Sequence, residues 1–192
     1  MHSRQHWIFD LDGTLTVAQH DFDAIRRDLG LAPDQPILEQ LDAMSQERAR
    51  PLRERLIDIE EALARHAHAA DGAAELLEHL RRDGKRLGIL TRNDRRLAHI
   101  ALQATGLAEF FEPATVLGRA DAAPKPSPEG IQHILGVWSA APSDAVMLGD
   151  YLFDLQAGRS AGTATVWVDL HDREHDWSAW FDRRVTGLSE LL

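Results

Sequence analysis

Apolar positions along the chain follow two rhythms that take turns. Compact β-type runs lie at residues 7–9, 87–91, 115–117, 145–148 and 163–168, and most are separated by stretches in which apolar residues recur every three or four positions. That alternation predicts parallel strands joined by helical crossovers. Three intervening helices carry start and stop signals. Asp71 is placed to cap a helix striped by Leu76, Leu77 and Leu80 and stopped near Gly84. Asn93 is placed to cap one striped by Leu97, Ile100 and Ala104 and ended by Gly106. Ser127 and Pro128 open a third, whose apolar face is Ile131, Ile134, Leu135 and Trp138.

Residues 17–70 break the rhythm, because they hold no strand-like run and are helix-patterned throughout. Phe22, Ile25 and Leu29 stripe a short helix that Gly30 ends. After Pro33 and Pro36, Ile37, Leu41 and Met44 stripe a second; beyond Pro51, Leu52, Leu56, Ile59 and Leu63 stripe a third. The pattern predicts a small all-helical insertion, residues 17–70, leaving and rejoining a core of residues 1–16 and 71–192, with Asp71-Gly72 marking the return. From Asp169 onward the chain turns polar and aromatic, and Trp177, Trp180 and Phe181 are expected to pack on the core.

Composition removes several classes of function. Of the 192 residues, 44% are hydrophobic and 27% charged, ordinary for a folded domain of this length. Acidic residues outnumber Lys and Arg by 31 to 21, for a formal net charge of -10, which argues against nucleic acid and anionic membranes as partners. There is no cysteine, so thiolate nucleophiles, disulfides and Cys-based zinc sites are excluded. The first six residues lack the apolar stretch of a signal peptide and no window approaches a membrane span, so a cytoplasmic protein is expected.

The chemistry starts at the end of the first strand. Asp10 and Asp12 flank Leu11 and run into Gly13, Thr14, Leu15 and Thr16. Side chains alternate along a strand, so acids at i and i+2 point the same way at its carboxyl end, where open α/β sheets place reactive groups. Two carboxylates 4 Å apart repel by about 4 kcal/mol at an effective dielectric of 20, so a cation or a proton is expected beside them. Three further signals fall at or beyond later strand ends: Thr91-Arg92-Asn93, Lys125 between Pro124 and Pro126, and Gly149-Asp150 with Asp154. All can converge on one crevice.

These residue types suit phosphoryl transfer. Asp10 is the candidate nucleophile and Asp12 the general acid and base. Mg²⁺ would take the side chains of Asp10 and Asp150 and the backbone carbonyl of Asp12, with Asp154 orienting the site from behind. The Thr91 hydroxyl, the Lys125 ammonium, backbone N–H groups of the Leu11 to Thr14 turn, Gly13 and Thr14 included, and the segment Arg92-Asn93 after Thr91 are candidate donors to the phosphoryl oxygens. Lys125 also helps to keep the nucleophile ionised among four acids.

With these residues in view, the chain resembles the haloacid dehalogenase superfamily of hydrolases. The resemblance is carried by Phe-Asp-Leu-Asp-Gly-Thr-Leu-Thr from Phe9 to Thr16, by Leu90-Thr91-Arg92-Asn93, by Lys125-Pro126-Ser127-Pro128, and by Gly149-Asp150 with Asp154, Ala157-Gly158 and Ala161-Gly162. It implies an α/β fold with a Rossmann-like three-layer α/β/α core and parallel sheet, Mg²⁺ dependence, and an aspartyl-phosphate on Asp10. The insertion then looks like the helical cap of the phosphoglycolate phosphatase-like branch, though short for it. Dehalogenases of the superfamily lack the second acid and phosphonate-cleaving members replace it with a small residue, so Asp12 implies hydrolysis of phosphate esters. Tyr151 departs from the small residue often found there; its ring either narrows the crevice and stacks on a substrate or packs beside the cap.

The expectation is therefore a Mg²⁺-dependent phosphatase of small phosphorylated metabolites, a monomer or homodimer. The alternatives are a phosphomutase acting on a sugar phosphate and a non-catalytic regulatory protein of the same fold. His66 and His68 do not share a helix face and are read as surface. His20 lies near the expected hinge, within reach of a substrate. Arg48, Arg50, Arg53 and Arg55 are read as a solvated helix face with Glu54, Asp58 and Glu60 as partners, outside the site.

Overall fold

The computed structural model describes residues 3–19, 21–33 and 35–192, so His20 lies outside the described residues. Among the described residues the α-helices and strands are β1 (His6–Phe9), α1 (Phe22–Asp28), α2 (Ile37–Asp42), α3 (Gln46–Arg65), α4 (Ala73–Arg82), β2 (Arg86–Leu90), α5 (Arg95–Ala104), β3 (Val116–Leu117), α6 (Glu129–Trp138), β4 (Ala145–Gly149), α7 (Leu152–Ala161), β5 (Ala164–Val168) and β6 (Arg183–Val185). The strands form one parallel sheet in the order β3-β2-β1-β4-β5-β6.

Strand β1 is short, yet it lies in the middle of the sheet, with Ile8 in register with Gly88 of β2 and Met147 of β4. Its apolar residues are buried on both faces, as parallel strands require. Trp7 and Phe9 join Leu76 and Leu80 of α4 and Leu97 and Leu102 of α5 on one side. Ile8 and Met147 join Ile131 and Ile134 of α6 and Ala157 of α7 on the other. The alternation of side chains along each strand thus produces a three-layer α/β/α core.

Helices α1 to α3 carry a separate apolar cluster built on Ile25, Leu29, Leu31, Ile37, Leu41 and Leu56. The chain enters and leaves this segment side by side: the Val17 N–H donates to the His68 carbonyl and the Ala70 N–H to the Leu15 carbonyl, each at 2.9 Å. Among the described residues no helix is long and apolar enough to cross a membrane.

Several expectations are corrected. Gly72, at φ 80°, occupies the cap position of α4 in place of Asp71. Asp94 caps α5, accepting from the Arg96 N–H at 2.8 Å, because the Asn93 side chain is spent on the Asp94 N–H at 2.7 Å. Pro51 does not precede the third helix but lies within α3, on an exposed position. The polar tail contains a sixth strand, β6, while Trp177 and Phe181 pack on Trp167 with ring centroids 5.0 and 5.5 Å away. Arg53 and Arg55 pair with Asp42 and Asp28 rather than with acids of their own helix.

Close approach of α7 to the sheet depends on Gly158. A Cβ there would fall 2.6 Å from Thr165 Cγ2 and 2.9 Å from Met147 Cβ, both on buried strands that cannot retreat. Helix propensity favours Ala over Gly by about 1 kcal/mol, but overpacking a filled interior costs about 1–3 kcal/mol. Gly158→Ala is expected to lower the urea midpoint; an unchanged or raised midpoint would show that this contact relaxes freely.

Candidate active site

The strand order reverses between β1 and β4, which are neighbours in the sheet although the chain proceeds from them toward opposite edges. Loops leaving the carboxyl ends of two such strands part company and open a crevice. Asp10 follows β1, with its N–H bound to the Leu148 carbonyl at 2.8 Å; Asp150 follows β4; Thr91 follows β2, with its N–H bound to the Leu117 carbonyl at 3.0 Å. The loop before α6 brings Lys125 to the same point.

Lys125 Nζ lies 2.6 Å from Asp10 Oδ1 and 2.5 Å from Asp154 Oδ1, and all three residues are buried. The other oxygen of Asp154 accepts the Tyr151 N–H at 3.0 Å, so this carboxylate is engaged at both ends. Carboxylate oxygens of Asp10, Asp150 and Asp154 come within 4.8 Å of one another. Asp12 is outside that trio, partly exposed, and lines the same cleft as Asp10. Among the described residues its backbone carbonyl accepts no hydrogen bond.

Burial lifts the Asp10 carboxyl well above the ordinary carboxylate range, and Asp154, Asp150 and Asp12 push the same way against the pull of Lys125. Asp150 is raised by burial and by Asp154, with Arg173 and Lys125 opposing. Burial alone would depress Lys125, but the carboxylates of Asp10 and Asp154 outweigh it and hold the ammonium above its usual value. The cluster therefore has more negative charge than its own cations neutralise.

Nearly all the candidate residues face one cleft of about 590 Å³ between the sheet and helices α1 to α3: Asp10, Asp12, Thr91, Arg92, Asn93, Lys125, Asp150 and Asp154. Thr91 Oγ1 accepts the Asn93 N–H at 3.0 Å and keeps its own proton to donate. Arg92 crosses to the helical segment, bonding Glu39 of α2 at 3.0 Å.

Gly13 and Thr14 are not brought into the cleft. Their amides are spent within the turn, on the carbonyls of Thr16 and Leu11 at 2.9 and 3.3 Å, and Thr14 is fully buried. Among the described residues the amides of Leu11 and Asp12, in the same turn, and of Arg92 donate to no backbone carbonyl. Gly13 acts differently: at φ +89° it adopts a conformation open to glycine, and a Cβ there would stand 2.8 Å from Asp150 Oδ2. Its missing side chain keeps the space beside that carboxylate.

Two arrangements were not legible in the sequence. Arg173, in the loop after β5, reaches Asp150 Oδ2 at 3.1 Å and its carbonyl at 3.0 Å, and is itself anchored on buried Asp169. The rule that places reactive groups beyond strand ends applies to β5 also, and would have flagged this loop. Arg119, beyond β3, forms a two-pronged pair with Glu60 of α3 at 3.1 and 2.9 Å, which no periodicity announces.

The fold and site define a doubly wound α/β protein with an acid cluster and a buried lysine at its switch point. A family profile described as haloacid dehalogenase-like hydrolase matches residues 21–168, and the chain belongs to that family. It is 32% identical over 176 residues to a haloacid dehalogenase-like hydrolase domain-containing protein of Arabidopsis thaliana, covering 84% of this chain and 69% of that one. It is 37% identical over 94 residues to the pyrophosphatase PpaX of Bacillus velezensis; that match spans 49% of this chain and only 43% of PpaX. A CbbY variant from Rhodobacter sphaeroides, solved in complex with xylulose-(1,5)-bisphosphate, superposes with a TM-score of 0.79 at 20% identity, over 98% of this chain and 96% of that one.

A carboxyl group whose proton affinity rises on folding supports the fold at low pH and withdraws that support as pH climbs past its unfolded value, about 4. Asp10→Asn abolishes this titration. The stability difference between the Asp10→Asn chain and the native chain, measured by thermal denaturation in chelator, should therefore shift in favour of the variant from about pH 4 to pH 7. A difference independent of pH would contradict the shifted carboxyl.

Proposed function

We propose that the chain is a phosphoric monoester hydrolase acting on small phosphorylated molecules through an aspartyl-phosphate on Asp10. The observation that carries this reading is the buried Asp10–Lys125–Asp154 cluster at the switch point of the sheet. Lys125 occupies one oxygen of Asp10, and the other attacks phosphorus while the bond from phosphorus to the ester oxygen breaks. Asp12 gives its proton to the departing oxygen. Water then attacks the phosphorus of the acyl phosphate, Asp12 takes the water's proton, and the bond to Asp10 breaks to free inorganic phosphate. The Thr91 hydroxyl and the amides of Leu11, Asp12 and Arg92 are the donors available to the phosphoryl oxygens.

The donor set suits a hard dication: clustered carboxylate oxygens, a charge shortfall, and the space that Gly13 leaves beside Asp150. Asp10, Asp150 and the Asp12 carbonyl would hold Mg²⁺, which when bound supplies charge neutralisation to the phosphoryl group. Asp154, committed to Lys125 and the Tyr151 amide, positions the lysine. Helices α1 to α3 form a cap, residues 17–70, over a core of residues 1–16 and 71–192, and its cover excludes bulk water. A small phosphorylated substrate, at the coarse level of a phosphoryl group to be released, is in keeping with the relatives, a pyrophosphatase and a CbbY solved with a bisphosphate. The acidic, cysteine-free composition suits the cytoplasm.

Phosphate release from a panel of small esters, with Mg²⁺ and with chelator, tests the reading. Turnover should require the metal, and Asp10→Asn should lower it by at least about a thousandfold. Metal-independent turnover, or full activity in Asp10→Asn, would overturn the proposal.

A further inference from the structure

The cleft holds more structure than phosphate chemistry uses. Each of its guanidinium groups is already faced by a carboxylate: Arg26 by Asp23 at 2.6 Å, Arg92 by Glu39 at 3.0 Å, Arg119 by Glu60 at 2.9 Å and Arg173 by Asp150 at 3.1 Å. Lys125 is shared between Asp10 and Asp154. Leaving out Asp12, which delivers a proton to the leaving oxygen, and including Asp23, which faces Arg26, six carboxylates (Asp10, Asp23, Glu39, Glu60, Asp150 and Asp154) face five cations. A bound dication would turn this balance to a single positive charge, and one phosphoryl dianion consumes it.

The wall beyond the acids is mostly apolar, with the Arg92 guanidinium lying over the Phe153 ring, 5.2 Å from its centroid. Ile37, Leu38, Leu56, Tyr151 and Phe153 line it. Tyr151 is held edge-on by Phe153 and Trp177, with ring centroids 5.1 and 5.6 Å away, and still exposes 49% of its surface. A leaving group with a second anionic end would meet this wall with every guanidinium already facing a carboxylate, Arg26 and Arg92 each keeping only a buried Nε without a partner, and would lose hydration without a full counter-charge. An uncharged, apolar one would gain contact with rings already fixed in place.

We propose that the substrate is a phosphate monoester whose leaving group is uncharged and largely apolar, seated against Leu38, Tyr151 and Phe153, and not a diphosphate, a bisphosphate or a phosphorylated acid. This deepens the phosphatase reading and rests on it for the phosphoryl end. It also disfavours the mutase alternative, which needs a place for a second phosphoryl group.

The test compares matched alkyl leaving groups in the presence of Mg²⁺: n-butyl phosphate and 2-phenylethyl phosphate against 4-phosphooxybutanoate, which differs from the first by a terminal carboxylate. The uncharged esters should show kcat/KM higher by about tenfold or more. Tyr151→Ala should raise KM for 2-phenylethyl phosphate by about fivefold more than it raises KM for methyl phosphate. Calorimetric binding of 2-phenylethylphosphonate and 3-phosphonopropionate to the full chain with Mg²⁺ reads the same preference without chemistry. Absence of all turnover with the binding preference intact would sink the phosphatase reading alone. Tighter binding or faster turnover of the carboxylated compounds, or a Tyr151→Ala chain with unaltered KM, would overturn the inference.

Discussion

One buried ammonium holds this site together. Lys125 reaches Asp10 at 2.6 Å and Asp154 at 2.5 Å, and so ties the end of β1 and the first turn of α7 to the loop before α6. Removing three charges from water is costly, and a pair of acids with no cation between them would push these elements apart. The lysine lets them meet. It also sorts the carboxylates by what remains available: Asp154 has both oxygens engaged, Asp10 has one, and Asp150 is approached only from the side by Arg173. Functional differences among chemically identical groups thus arise from how each is partnered.

The same arithmetic of charge governs the surroundings. Two cations, Lys125 and Arg173, serve three clustered acids plus Asp12, and burial removes the water that would otherwise screen the excess. Raised proton affinity at Asp10 and Asp150 is the response of a chain left to itself. A chain with a formal charge of -10 offers a phosphate dianion no general attraction, so the pull must be local and must come from whatever completes the cluster.

Much of this was legible in the sequence, for identifiable reasons. Central parallel strands are buried on both faces and read as unbroken apolar runs, so β1, β2, β4 and β5 declared themselves. Strand β6 did not, because an edge segment of Arg183, Arg184 and Val185 needs only one buried side chain. Helix starts were displaced by one residue where two polar neighbours compete, as at Asn93 and Asp94, and only hydrogen-bond partners decide between them. Asp10, Asp12, Thr91, Lys125, Asp150 and Asp154 could be gathered in advance because a doubly wound sheet sends every strand's carboxyl end to the same edge. Arg173, and the pairs of Arg92 with Glu39 and Arg119 with Glu60, depend on how separate segments are turned toward each other, and repeat spacing carries no record of that.

Those two cross-pairs shape how the helical segment meets the sheet. Inside the segment cohesion is apolar, through Ile25, Leu41, Leu56 and their neighbours. At its base the join is of a different kind: Ala64 near the end of α3 belongs to the main core with Ala101 of α5, and the entering and leaving chains pair beside it. Across the cleft the contacts are ionic, partly hydrated at Arg92 and Glu39 and more enclosed at Arg119 and Glu60. An exposed ion pair such as Arg92–Glu39 contributes about 0–1 kcal/mol, and the gain of the more enclosed Arg119–Glu60 pair is offset by the cost of desolvating its charges, so the cleft side is the weaker attachment. The segment is thus fixed at its base and lightly held over the acids, and that asymmetry places the least costly separation directly above Asp10.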